Sequence, residues 1–114
     1  MKLLIVGSRS IKDFDLEGYV PEETTMIISG GANGVDAIAE TYADKKRLSK
    51  LILRPRYDLY GRAAPLKRNE EMVELCDMVL VVWDGTSKGT RHTIQYAEKV
   101  GKKLRLLTTS TTDQ

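Results

Sequence analysis

A chain of 114 residues with 41% apolar and 30% charged side chains has the composition of a single soluble globular domain. It is neither a disordered nor a membrane protein, since no apolar run approaches the roughly 20 residues that a membrane-crossing helix requires. Net charge is only +2, though unevenly spread.

Met1 leads straight into strand-like sequence without a signal-peptide pattern, so a cytoplasmic location is expected. Lys2–Val6 then supplies Leu-Leu-Ile-Val, a continuous apolar run suited to a central strand covered on both faces, and it ends at Gly7-Ser8-Arg9. Residues 12–19 make at best a short helix, because Gly18 and Pro21 interrupt them. Thr25–Ile28 is the second strand. It stops at Ser29-Gly30-Gly31, and apolar residues return at helical spacing at Val35, Ile38, Ala39 and Tyr42, predicting a helix to about Leu48.

Lys50–Leu53 is the third strand, closed by Arg54-Pro55. The loop that follows, RPRYDLYGRAA, is too polar for a core and too aromatic for a plain linker. Pro65 suits the first turn of a helix running through Cys76, with Leu66, Asn69, Met72, Val73 and Cys76 roughly on one face. A lone cysteine in that position reads as packing rather than chemistry. Met78–Trp83 is a β-branched, uninterrupted strand ending at Asp84-Gly85. The last helix follows Gly89-Thr90, turns Ile94, Ala97 and Val100 inward and stops at Gly101; Leu104–Leu107 is the fifth strand. Residues 1–107 thus form one domain, and the polar tail 108–114 is expected to be disordered.

Strand and helix alternate throughout, which predicts an α/β fold of three layers. Its five-stranded, mostly parallel sheet has helices on both faces and strand order 3-2-1-4-5. Three glycine-bearing turns follow strand carboxyl ends: Gly7 to Arg9, Ser29 to Gly34 including Ala32, and Asp84 to Thr90 including Gly85, Ser87 and Gly89. In an open parallel sheet those ends share one edge, where ligands bind at the reversal of winding. The second turn fits either a tight connection or an anion site on a helix N-terminus, where backbone N–H groups have no partner inside the helix. Hydroxyls at Ser8, Ser29, Ser87 and Thr90, with cations at Arg9, Arg68 and Arg62, suit a phosphate on a sugar.

Asp84 has two readings, an acceptor from ligand hydroxyls or a cap for its own turn. Asp36, in the first turn of its helix, reads as structural first and as a sugar-hydroxyl acceptor second. Tyr57, Tyr60 and Trp83 have faces fit to stack on a base, although Trp83 at a strand end more often belongs to the core. His92 reads as exposed and idle. No His/Cys/carboxylate cluster has metal-ligand spacing, so neither metal nor cofactor is implied.

Residues 13–44 contain eight acids and no Lys or Arg, whereas residues 45–68 contain nine bases against Asp58 alone. Folding can set two such blocks on compensating faces, or the basic block can meet an anionic partner.

The series GSR, SGGANGVDAIAE, YGRAAPLKRNEEM and VVWDGTSKGTRHTIQYA resembles the SLOG superfamily of Rossmann-like proteins, in its YspA/YpsA-like branch, from Met1 to about Leu107. The glycine run is also similar to part of the DNA-processing protein A of natural transformation. The resemblance implies a pocket for a nucleotide or nucleotide-derived ligand, with Arg68 and Asn69 closing it, and a homodimer. The catalytic Lonely Guy-type phosphoribohydrolases of that superfamily carry PGGxGTxxE, and here Thr93 stands where their glutamate would be. Threonine can neither stabilise an oxocarbenium-like state nor activate water. A binding or sensing module is therefore the first expectation. Hydrolysis of a nucleoside monophosphate or nucleotide sugar is the second, and single-stranded nucleic-acid binding through the basic block and Tyr57 or Tyr60 the third.

Overall fold

The computed structural model describes residues 1–109. Five strands form one sheet: β1 (Lys2–Gly7), β2 (Met26–Ser29), β3 (Ser49–Ile52), β4 (Met78–Trp83) and β5 (Lys103–Thr108). Their order is β3-β2-β1-β4-β5 and every pairing is parallel, so the expected α/β, Rossmann-like architecture is the observed one. Three twelve-residue helices cover the sheet, α1 (Val35–Lys46), α3 (Ala64–Leu75) and α4 (Lys88–Lys99), and a single turn, α2 (Tyr57–Tyr60), precedes α3. Among the described residues no helix is long and apolar enough to cross a membrane.

The unbroken apolar character of β1 and β4 follows from burial on two sides. Leu3, Ile5, Leu80 and Val82 face α1, where they join Val35, Ala39 and Ala43. Leu4, Val6, Val79 and Val81 face α3 and α4, against Met72, Val73, Ile94 and Ala97. Each fully buried Leu, Ile or Val contributes about 1.5–3 kcal/mol relative to exposure, and these central strands hold most of them.

The α1 face differs from expectation at residues 12–19, which form no helix. The Asp15 carboxylate accepts the Glu17 N–H at 2.9 Å, Tyr19 N–H closes a turn on Leu16 O, and Gly18 takes φ +86°. These local bonds compete with a helical ladder. The irregular segment still buries Ile11 and Leu16 and so covers the part of the sheet that α1 leaves bare.

Three smaller expectations also shift. Leu66 and Val100 are 40% and 43% exposed rather than inward. Arg68 takes the inward position on α3, and Val100 lies beyond the last turn of α4 as its C-cap. Strand β5 extends through Thr108, paired with Trp83, and Thr109 N–H donates to Trp83 O at 2.9 Å. The rest of the tail, 110–114, lies outside the described residues.

Gly7 closes β1 where it pairs with Val82. A Cβ there would run into the Val82 carbonyl oxygen and come within 2.6 Å of Val35 Cγ2. Neither strand nor helix can retreat without opening the core, so Gly7→Ala is expected to cost roughly 1–3 kcal/mol, the usual penalty of overpacking. Urea denaturation of the two proteins measures it.

Candidate functional site at the sheet switch point

β1 lies between β2 and β4, and the chain winds outward from it in both directions. The carboxyl ends of β1 and β4 open on a cavity of about 340 Å³ at this switch point, within the size range of small-molecule sites. Of the expected site residues, Gly7, Arg9, Ala32, Arg68, Asn69, Asp84, Ser87, Gly89 and Thr90 line it. The three turns therefore meet around one space.

The other six expected residues, Ser8, Ser29, Gly30, Gly31, Gly34 and Gly85, are not on its wall. Ser8 is fully buried. Its hydroxyl accepts the Asp84 N–H at 2.9 Å, its N–H donates to Val82 O, and its carbonyl accepts from Ile11 and Val35 at 3.3 Å each. Gly34, at φ +75°, lets the second turn cross the first, since a Cβ would strike Ser8 O and approach Arg9 Cα to 2.6 Å. Ser29 is buried too, its hydroxyl accepting the Gly31 N–H at 3.3 Å and lying 3.3 Å from Glu40 Oε2. These residues build the rim and do not face the space it encloses.

Arg68 is 7% exposed, more deeply placed than a residue that merely closes a site. Its Nη1 donates to Gly30 O at 2.6 Å and to Leu53 O at 3.1 Å, and its Nε donates to Asn69 Oδ1 at 2.8 Å. It clamps α3 to the ends of β2 and β3, and burial draws its pKa down while Asp36 opposes that shift. Arg54 acts similarly from the rim, donating to Gly31 O at 3.2 Å. Arg62 is exposed in the turn before α3 and does not line the cavity.

The capping reading of Asp84 is the one its hydrogen bonds support. Oδ1 accepts from Thr86 N–H at 2.9 Å and Ser87 N–H at 3.0 Å, and Oδ2 accepts the Ser10 hydroxyl at 2.8 Å. The Thr86 N–H and the Ser10 hydroxyl hold this carboxyl far below the usual range. Asp36 is the opposite case. It is 7% exposed, lines the cavity and accepts the Ala32 N–H on Oδ2 at 3.1 Å. Burial pushes its pKa up, only partly offset by that N–H and by Arg68.

Two helix N-termini thus differ across one crevice. In α1, Asp36 already sits in the first turn. In α4 there is no acid in the first turn and no side-chain cap, and Gly89 presents bare backbone with only Asn69 Nδ2 4.0 Å from where a Cβ would stand. Thr93 lies on the wall below, its hydroxyl returned to Gly89 O at 3.1 Å.

Sequence reasoning missed Ser10 and the apolar part of the wall, Val6, Pro65, Leu66 and Met72. A polar residue directly after a strand-end turn was the available signal for Ser10; the apolar residues looked like core or helix start. His92 is not idle, since its Nε2 lies 2.9 Å from Glu70 Oε2 across the α3–α4 seam. Trp83 is half-buried and donates to Ser87 O at 3.2 Å, a structural tie, whereas Tyr57 and Tyr60 are 61% and 44% exposed. Cys76 is buried, and burial pushes its thiol pKa up.

The basic block is partly neutralised within the fold. Lys46 pairs with Glu17 at 2.9 Å and Lys50 with Asp44 at 2.8 Å, joining it to the acidic block.

Fold and cavity together define a Rossmann-like α/β protein with a crevice of mixed polar and apolar lining at its switch point. No family model matches the chain, and no solved structure matches it. The chain is similar to the Gene 61 protein of Mycobacterium phage D29, with 33% identity over 113 residues that span 88% of this chain and 90% of the phage protein. It belongs to the family of that protein.

Two substitutions test how the rim is held. Ser8→Ala leaves the Asp84 N–H without its partner and is expected to cost about 1–3 kcal/mol in urea melts. Asp84→Ala is expected to cost about 1–2 kcal/mol near neutrality, because the Thr86 and Ser87 N–H groups lose their acceptor. Because the folded-state pKa of Asp84 lies below the ordinary 3.8, its contribution is complete above that value and is lost as pH falls beneath it. The stability gap between wild type and Asp84→Ala should therefore narrow progressively in melts taken below pH 3.8.

Proposed function

We propose that this chain is a binding or sensing module for a nucleotide or nucleotide-derived ligand, of the SLOG type that its sequence resembles, and that it works as a homodimer. The carrying observation is the convergence of three glycine-bearing turns on one cavity, from segments twenty or more residues apart in the chain. The α4 N-terminus supports a phosphate there: its first turn carries no acid and no side-chain cap, Asp84 spends its carboxylate on the Thr86 and Ser87 N–H groups just before it, and Arg9 adds a cation from the facing turn. Pro65 and Leu66 offer an apolar wall for a heterocycle, and the exposed Tyr57 lies on the turn that precedes α3.

Binding without turnover is the reading preferred over hydrolysis. Thr93 occupies the wall where a catalytic carboxylate would serve, and Asp84 is committed to its turn. Release of free base from a panel of nucleoside monophosphates would reverse that preference.

Arg68→Ala is a poor probe of binding, because it strips hydrogen bonds from two main-chain carbonyls. Gly89→Ala separates binding from folding. A Cβ at position 89 meets only Asn69 Nδ2, at 4.0 Å, and alanine favours the helix, so the melting temperature should hold or rise. The added methyl stands where a phosphate would approach, so affinity should fall by about tenfold or more, on the order of 1.4 kcal/mol. Native mass spectrometry of freshly purified protein reads retained ligand and subunit number together; unchanged retention in Gly89→Ala removes the α4 assignment.

A further inference from the structure

Two charged side chains on the cavity wall, Asp36 and Arg68, are each 7% exposed. Opposite charges buried this deeply ordinarily pair, because an isolated one is costly. They flank Gly30 instead: a Cβ on that residue would lie 2.7 Å from Arg68 Nη1 and 2.9 Å from Asp36 Oδ2. Among the described residues they form no ion pair with each other. Each also keeps one polar atom in reserve. Asp36 Oδ2 is taken by Ala32 N–H, and no described residue donates to Oδ1. Arg68 Nη1 and Nε are taken, and no described residue accepts from Nη2.

A neutral group that both donates and accepts satisfies such a pair, whereas a phosphate would be repelled by Asp36 and a cation by Arg68. We propose that Asp36 and Arg68 form a subsite for vicinal sugar hydroxyls, one donating to Asp36 Oδ1 and the other accepting from Arg68 Nη2, so that the pocket selects ribose over deoxygenated sugars. This rests on the nucleotide reading and orients the ligand within it. The phosphate lies at the α4 N-terminus, whose first turn carries no acid, and the pentose turns its diol toward the α1 N-terminus, whose first turn carries Asp36. The reluctance of buried Asp36 to hold its charge gains from a hydroxyl donor in the same way.

The test compares the four ribonucleoside 5′-monophosphates with their 2′,3′-dideoxy counterparts by isothermal titration, on wild type, Asp36→Asn and Gly89→Ala. Asparagine keeps the Ala32 contact and the side-chain shape, and a thermal melt verifies folding. A hydrogen bond to a charged acceptor predicts about 10- to 100-fold preference for the ribo form in wild type. That preference should collapse in Asp36→Asn, while Gly89→Ala should weaken ribo and dideoxy forms alike. Equal binding of the two sugars by wild type overturns the diol subsite and leaves nucleotide binding standing, as does a preference that survives in Asp36→Asn. Failure of wild type to bind any monophosphate overturns the underlying reading, and the subsite falls with it.

Discussion

The rim of the crevice depends on Ser8. A buried hydroxyl has few ways to be satisfied, and this one accepts the Asp84 N–H, while the Ser8 carbonyl accepts from Val35 and its N–H donates to Val82. One residue at the end of β1 is thereby bonded to the turn after β4 and to the first residue of α1. Gly34 makes the crossing possible by lacking a side chain at the point of contact. Without these bonds the three turns would be separate surface loops; with them they form a continuous wall.

The wall is held at a fixed distance by the helices behind it. On the α3–α4 seam, Glu70 meets His92 and Glu74 meets Tyr96, two contacts spaced four residues apart on both helices. That spacing places successive contacts on one face of each helix. Directly above the seam, Asn69 Nδ2 donates to Gly89 O at 3.5 Å, and Arg68 next to it reaches the ends of β2 and β3. The N-terminal end of α4 and the carbonyls of Gly30 and Leu53 are thus set relative to one another by α3.

The electrostatics of the crevice follow from this division of labour. Cations on the rim hold carbonyl oxygens, and Asp84 is saturated by its own turn. What is left facing the cavity is uncapped helix backbone at α4, the guanidinium of Arg9, and a carboxylate and a guanidinium that share Gly30 without pairing. Such an arrangement gives the crevice two unlike ends, one of helix-start backbone and one of two buried charges. A Rossmann-like fold alone carries no such information, because many unrelated functions use it.

The sheet, its strand order and the meeting of three turns were legible from the chain alone. Uninterrupted apolar runs at β1 and β4 can only be central strands covered on both faces, and alternation with helices leaves few ways to connect them. Glycines after strand ends marked where the crevice would lie. The depth and direction of side chains were not legible, since a serine that faces a ligand and one that pins two loops have the same sequence appearance. Ser8, Ser29 and Arg68 looked like ligand groups and Asp84 like either a ligand acceptor or a cap, and only the tertiary bonds revealed that they are largely occupied by main chain. Asp36 showed the converse, a helix-start acid on the cavity wall with one carboxylate oxygen to which no described residue donates. Local pattern determines which backbone forms; which polar atoms remain unpaired is decided by contacts between segments far apart in the chain, and those exist only once it has folded.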